Sequence, residues 1–349
     1  MPELPEVETV ARDLRPLITG ATIVDATTLW ARTLRGIDPE AFATGVAGRR
    51  IEGVSRRGKQ VVVSLDGGAF LTIHLKMTGQ IFVVRQGGTE DPYVRVVLEL
   101  EDGREIRFRD IRKFGKIGLY LADDADPFAA TGPEPLADAF TVRAFRRRIR
   151  GRKGRLKPLL LDQSFIAGVG NIYADEALWA ARLHPLRTAG TLRAADERHL
   201  YDEVRRILAE AVVRRGSSID DYTAPDGDGS MQEHLQVYQR TGEPCPRCGR
   251  PVKRIVIGAR STHFCSWCQR LRAADRKGAA AILRTMTGGR RRTGGRWTEL
   301  GGEGTVGLTP DEAARASTRA RTERTQRAAA TRRAAARASA PSAPANTNR

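Results

Sequence analysis

The chain has 349 residues, more than one typical domain, and its 59 lysines and arginines against 41 acids give a formal charge of +18. Such a charge suits a polyanionic partner, nucleic acid or an anionic membrane surface. No run of 18 apolar residues exists for a spanning helix, and the acidic start lacks the basic flank and apolar stretch of a secretory signal, so a cytoplasmic protein is expected.

The chain opens MPELPEVETV. From Pro5, the apolar residues Val7, Val10, Ala11 and Leu14 recur at helical spacing, and proline is well tolerated in a first turn. Short β-rich runs follow: TIVDATT, IEGVS, QVVVSL, AFLTIH, GQIFVV, YVRVVLEL, EIRFR and IGLY. Asp66-Gly67 and Asp102-Gly103 sit between such runs as hairpin turns, so residues 20–122 are expected to form a mainly antiparallel β-sandwich within a domain spanning 1–131. A turn-rich stretch, DDADPFAATGPEPL, precedes a helical domain over 141–235, where LKPLLLDQ, NIYADEALWAARL and AADERHLYDEVRRILAEAVVRR carry the helical period. Its basic run, Arg146 to Lys157, is either a solvated face or a contact for phosphate. In IAGVGNIYADEAL, Gly168 and Gly170 stand just before Asn171, which reads as an N-cap; the exposed amides of such an end are either ordinary capping or an anion site.

All four cysteines lie between Cys245 and Cys268, in a compartment where a disulfide framework is not expected. Cys245-Pro-Arg-Cys248 and Cys265-Ser-Trp-Cys268, sixteen residues apart, have the spacing of a four-thiolate zinc site, and four protein ligands leave no open position for a reacting water. One structural zinc ion is therefore expected in a finger over 236–270, with Arg254 and Arg260 on a small hairpin suited to phosphate. Residues 271–349 hold 17 basic and 6 acidic side chains and few large apolar ones, a composition that buries too little surface to offset ordering. This basic tail is expected to be largely disordered, over 285–349 in particular, with nascent helix near 311–338.

Four features in this order, MPELPEVE, RRGK at 56–59, GVGNIYADEAL at 168–178 and the paired CxxC, resemble the formamidopyrimidine-DNA glycosylase family over about residues 2–270. The resemblance implies an α+β multidomain fold with an N-terminal β-sandwich, a helix-two-turn-helix domain and a C-terminal zinc-finger hairpin. It further implies a monomeric base-excision repair enzyme, associated with the nucleoid, that binds damaged double-stranded DNA and no membrane, and is both glycosylase and AP lyase.

Within that resemblance Pro2, freed by loss of Met1, is the amine nucleophile. Glu3 is the proton donor, Glu6 the second carboxylate and Lys59 the lysine assisting elimination. Asn171, Arg260 and Lys153 grip phosphates, with Arg260 also in the catalytic set. Met77, Arg112 and Phe114 fill the hole left by a flipped base. Leu4 together with the complete Met77, Arg112 and Phe114 set resembles the branch acting on 8-oxoguanine and formamidopyrimidines rather than the endonuclease VIII branch acting on oxidised pyrimidines. Two segments depart from the family pattern: EDPYVRVV lacks a histidine, and SSIDDYTAPDGDGSM is acidic at Asp220. Competing classes are a catalytically silent zinc-dependent DNA-binding relative, from which loss of at least Pro2 is expected, and an RNA-associated protein using GGRRRTGGR.

Overall fold

Helix α1 (Leu4–Ile18) has Pro5 in its first turn and buries Val7, Val10, Ala11, Leu14 and Ile18, as their spacing requires. These five join the sandwich core, whereas Leu4, equally buried, packs in the core of the helical region. The first turn of the chain thus straddles two cores. The computed structural model of the protein describes residues 1–87, 90–218, 229–288, 291–293 and 296–298.

The eight expected strands are β1 (Ile23–Thr28), β2 (Ile51–Arg57), β3 (Gln60–Leu65), β4 (Phe70–His74), β5 (Gly79–Arg85), β6 (Val94–Leu100), β7 (Arg104–Asp110) and β8 (Lys116–Tyr120). They form two antiparallel four-stranded sheets, ordered β1-β6-β7-β5 and β2-β3-β4-β8. Alternation decides which side chains turn inward: in β3, Val61, Val63 and Leu65 are buried, opposite Ile73 and Leu71 of β4 or Ile51 and Val54 of β2. A short helix, α2 (Pro39–Val46), not evident in the sequence, is capped by Asp38 and buries Phe42 and Val46.

The helical region comprises α3 (Val142–Ile149), α4 (Leu156–Leu161), α5 (Asn171–Ala180) and α6 (Ala194–Val213) around Phe145, Phe165, Tyr173, Leu200 and Leu208. Helix α3 carries the start of the basic run in its second half, and much of that run ties the region together rather than facing solvent. Arg148 donates to the carbonyls of Phe165 and Ser164, Arg146 and Arg150 pair with the buried Glu197, and Arg155 pairs with Asp275.

The finger hairpin consists of β9 (Lys253–Ile257) and β10 (Arg260–Phe264). The expectation of a tail starting at 271 is corrected by residues 271–288. Helices α7 (Ala273–Arg276) and α8 (Ala280–Leu283) dock there, with Ala279 fully buried and Leu271, Ile282 and Leu283 packed on Leu186, Ile255, Ile257 and Phe264. Asp275 accepts the Thr188 amide at 3.0 Å, and Thr287 exchanges backbone hydrogen bonds with Arg254. A handful of small and branched residues on an existing apolar face suffices, which composition averaged over the tail concealed. Strands β11 (Arg291–Thr293) and β12 (Arg296–Thr298) pair beyond it; the helix expected near 311–338 and Asp220 lie outside the described residues.

Candidate active site

The site is built around the first turn of α1. The Leu4 amide donates to the Gly168 carbonyl at 3.0 Å, pinning the terminus to the glycine turn before α5. Glu3, 2 % exposed, then places its carboxylate at the N-terminus of α5: Oε2 accepts the amides of Gly170 (2.6 Å) and Tyr173 (3.4 Å), and Oε1 that of Ile172 (2.8 Å). A helix N-terminus presents unpaired amides and a positive partial charge, so it holds a carboxylate well. The anion at this end of α5 is therefore the protein's own Glu3. A Cβ at Gly170 would lie 2.4 Å from Glu3 Cδ, so glycine is needed for that approach.

Glu6 is equally enclosed. Its Oε2 accepts the Glu3 amide at 2.8 Å, and its Oε1 accepts the Tyr173 hydroxyl at 2.5 Å and the Ser217 amide at 2.8 Å. Gly216, at φ +74°, lets the chain come this near, since a Cβ there would meet Glu6 Oε1 at 2.6 Å. Burial and the two carboxylates push the Tyr173 phenol well above its ordinary value, so it stays a donor to Glu6.

Lys59, 8 % exposed, follows the turn between β2 and β3. Burial lowers its ammonium below the usual lysine range, against the pull of Glu3 and Glu6, and burial likewise raises the Glu3 carboxyl, against Lys59 and the α5 amides. Each is thereby brought closer to exchanging a proton near neutrality. His74 at the end of β4 is pushed down to about 3 by burial, Lys76 and Lys59, and so is neutral; its Nδ1 accepts the Lys76 amide at 3.1 Å, which leaves Nε2 as the donor.

Pro2, Glu3, Glu6, Lys59, Met77, Asn171 and Arg260 line one cavity of about 420 Å³, with His74, Lys76, Gln163, Ser217 and Tyr238. Stretches of chain from the terminus, the sandwich, the helical region and the finger, up to 258 positions apart between Pro2 and Arg260, converge there. Asn171 is the first residue of α5 rather than its cap, which is Gly170; its Nδ2 donates to the Ser261 carbonyl of β10 at 3.0 Å, and its buried Oδ1 has no partner among the described residues. Arg260 starts β10 exposed, and its guanidinium has no partner among the described residues, whereas Arg254 is engaged by the Ser261 hydroxyl.

Arg112 and Phe114 are exposed in the loop after β7, with the guanidinium 5.1 Å from the Phe114 ring. That loop is joined to the Met77 turn by the buried Asp110, which accepts the Thr78 hydroxyl (2.5 Å) and the amides of Arg112 (3.2 Å) and Gly115 (2.6 Å). Lys153 stands exposed in the turn between α3 and α4, outside the cavity. Sequence reasoning missed His74, Gln163 and Ser217, although His74 and Met77 share one short motif, HLKMTG. Lys157, placed by the sequence in the basic run as a solvated face or a phosphate contact, is neither: it is fully buried, pairs with Asp175 and donates to the Ser261 carbonyl.

The four cysteine sulfurs all lie within 4.8 Å of one another, Cys248 to Cys265 at 3.5 Å and Cys245 to Cys268 at 4.0 Å. Tetrahedral ligation at Zn–S of about 2.3 Å requires sulfurs about 3.8 Å apart, so the set fits one structural zinc ion. The Trp179 indole and the Cys268 amide each donate to a sulfur, at 3.5 Å, as suits thiolates. Helix α5 carries the finger: Glu176 accepts the amides of Gln236, Val237 and Tyr238, and Asp175 accepts that of His263.

Family models match three consecutive segments: the formamidopyrimidine-DNA glycosylase N-terminal domain at 1–117, the H2TH domain of the same enzymes at 131–223, and a zinc finger found in FPG and IleRS at 242–271. The formamidopyrimidine-DNA glycosylase of Chloroflexus aggregans is 49 % identical over 276 residues, 77 % of this chain and 98 % of that one. Two structures of Lactococcus lactis Fpg are similar over 77 % of this chain and all of theirs. One, a mutant with DNA containing Fapy-dG, has a TM-score of 0.73 at 37 % identity; the other, with DNA containing an abasic site, has 0.72 at 35 %.

Proposed function

The chain belongs to the formamidopyrimidine-DNA glycosylase family, base-excision repair enzymes that remove oxidised purines and act as AP lyases, and we propose that its residues divide this work as follows. Loss of Met1 frees the Pro2 nitrogen. An α-amino group titrates near pH 8, so about a tenth is unprotonated at pH 7, against under a thousandth for a lysine near 10.4. The amine attacks C1′ of the damaged nucleotide, the C1′–base bond breaks, and Glu3 protonates the ring oxygen as the sugar opens. Because the amine is secondary, the product is an iminium that cannot relax to a neutral imine. It draws electrons from C2′, whose proton leaves as the 3′ phosphate is expelled, and a second elimination expels the 5′ phosphate.

Glu6 orders the terminus through the Glu3 amide. Lys59 assists the eliminations, Asn171, Arg260 and Lys153 hold phosphates, and Met77, Arg112 and Phe114 occupy the gap left by the flipped base. The finger's zinc contributes folding, not chemistry. Damaged duplex DNA is the partner, and we place the protein, as a monomer, in the cytoplasm at the nucleoid. No described helix is long and apolar enough to cross a membrane. We divide the chain into a sandwich domain at 1–131, a helical domain at 141–235, a finger from 236, and a basic tail.

The observation that carries this reading is the single cavity in which Pro2, Glu3, Glu6 and Lys59 meet Asn171 and Arg260. Borohydride trapping on a duplex carrying 8-oxoguanine tests it. The mature protein is expected to give a covalent adduct and the Pro2→Gly variant to lose it; an equal adduct from the variant would remove Pro2 as nucleophile. Glu3→Gln should impair base excision more than strand cleavage at a pre-formed abasic site.

A further inference from the structure

The turn that presents Lys59 is held from outside its own sheet. Between β2 and β3, Gly58 takes φ +58°, and the polar groups of Arg56, Arg57 and Gly58 turn to the segment joining the sandwich to the helical region. There Glu134, whose side chain is 19 % exposed, accepts the Gly58 amide at 2.6 Å and Arg57 Nη1 at 2.9 Å on Oε1. Arg56 Nη2 lies 2.7 Å from Oε2, an ion pair too poorly aligned to count as a hydrogen bond. Arg57 Nη2 also donates to the Gly132 carbonyl at 2.8 Å.

The same segment is fastened on its other side. Gly132 donates its amide to the Gln163 carbonyl (2.8 Å), and the Ala167 amide donates to the Pro133 carbonyl (3.0 Å). The Gln163 side chain in turn accepts the Gly168 amide (2.9 Å) and donates to the Val169 carbonyl (2.9 Å), which shapes the glycine turn behind Glu3. One short stretch therefore contacts both the Lys59 turn and the cradle of Glu3. Burial alone would raise the Glu134 carboxyl, but Arg56, the Gly58 amide and Arg57 outweigh it and hold it below the usual carboxylate range.

We propose that Glu134 is a positioning residue for strand cleavage: it sets the Lys59 turn against the Gly168–Asn171 turn, so that the lysine meets the sugar held by Pro2. The inference rests on the reading of Lys59 as the residue assisting elimination. It assigns Glu134 no contact with DNA and no part in forming the covalent adduct.

The test uses full-length protein, in single turnover, on a duplex with one pre-formed abasic site, measuring both the borohydride-trapped adduct and strand cleavage. Glu134→Ala is expected to form adduct within about twofold of the wild type yet cleave at least tenfold more slowly, with Glu134→Gln between them. In a Lys59→Ala background the same change should add little, because both substitutions disable one element. Adduct and cleavage falling together, or a full second loss in the Lys59→Ala background, would overturn the proposal. A wild type without adduct would instead refute the Pro2 reading, and a Lys59→Ala variant cleaving normally the Lys59 reading. Should Glu134→Ala fail to fold, Arg57→Ala cuts the partly exposed half of the clasp and is held to the same two outcomes.

Discussion

An ionised carboxylate offers about four lone-pair positions, and Glu3 has three of them taken by the amides of Gly170, Ile172 and Tyr173. The position left is on Oε1, where a proton for the sugar would sit. Gly170→Ala puts a methyl group 2.4 Å from Glu3 Cδ and must displace that carboxylate; base excision is expected to fall by about 10- to 100-fold, in line with general acid catalysis worth about 10²–10⁴. Single-turnover excision of 8-oxoguanine, set beside duplex affinity, checks it, since affinity should change much less. Lys59 adds a pH dependence. If its ammonium is the working form, as proposed, and burial lowers its pKa, strand cleavage at an abasic site should decline as pH rises through a value below the ordinary lysine value of about 10.4. Lys59→Arg, charged throughout, should carry activity further into alkali; coincident profiles for the two proteins would refute the assignment. The sequence made Pro2, Glu3, Glu6 and Lys59 legible as a set through MPELPE and RRGK. It could not reveal why Gly170 and Gly216 are glycines, because their crowding partners stand 167 and 210 positions away.

Helix α5 shows what is and is not legible at the scale of an element. Its start was marked by GVGN, and the eight strands by short β-rich runs with Asp-Gly turns between some of them, a local signal that survives folding. Helices α2 and α3 escaped as elements, both being only eight residues long; in α3 four arginines share the helix with four apolar residues, of which only Phe145 and Ile149 are buried. The adjacent acids Asp175 and Glu176 are 1 % and 3 % exposed and join α5 to the finger through His263, Lys157 and three backbone amides. The hairpin side of the finger packs Ile255, Ile257 and Phe264 on the segment that carries α7 and α8, but the cluster around its two cysteine turns is, by contrast, little more than Val237, Val252, Trp179 and the cysteines. So small a cluster cannot offset the entropy of ordering its loops without metal. Chelating the zinc, or Cys248→Ser, should therefore release Arg260 from its place beside Asn171 and abolish specific duplex binding, while the sandwich keeps its β signal in circular dichroism. Binding that persists in metal-free protein would show that the finger is held by α5 alone.

Across the whole molecule the charge is lopsided, and the fold decides where the lopsidedness begins. Up to Gly288 the chain is engaged, since the Gly288 carbonyl accepts Lys253 and Ala279 is wholly buried. A truncation at 270 would tear α7 and α8 from the finger and test folding rather than charge. Residues 289–349, with 13 basic and 5 acidic side chains, can be removed without cutting into that docked segment. The last docked residues, Thr287 and Gly288, lie beside β9, the strand paired with the one that carries Arg260, and residues 289–349 add a net +8 to the chain after them. Each phosphate neutralised in duplex DNA adds about 0.9 to the slope of log affinity against log salt. Deleting 289–349 is thus expected to lower that slope by roughly 2–5 on undamaged duplex, equivalent to a few of the arginines in contact, and to weaken binding most at low salt. Single-turnover excision at saturating enzyme should not change, because among the described residues none that lines the cavity lies beyond Arg260. The slope measured at several salt concentrations for the full chain and for 1–288 decides the matter: equal slopes would mean that the tail does not touch DNA.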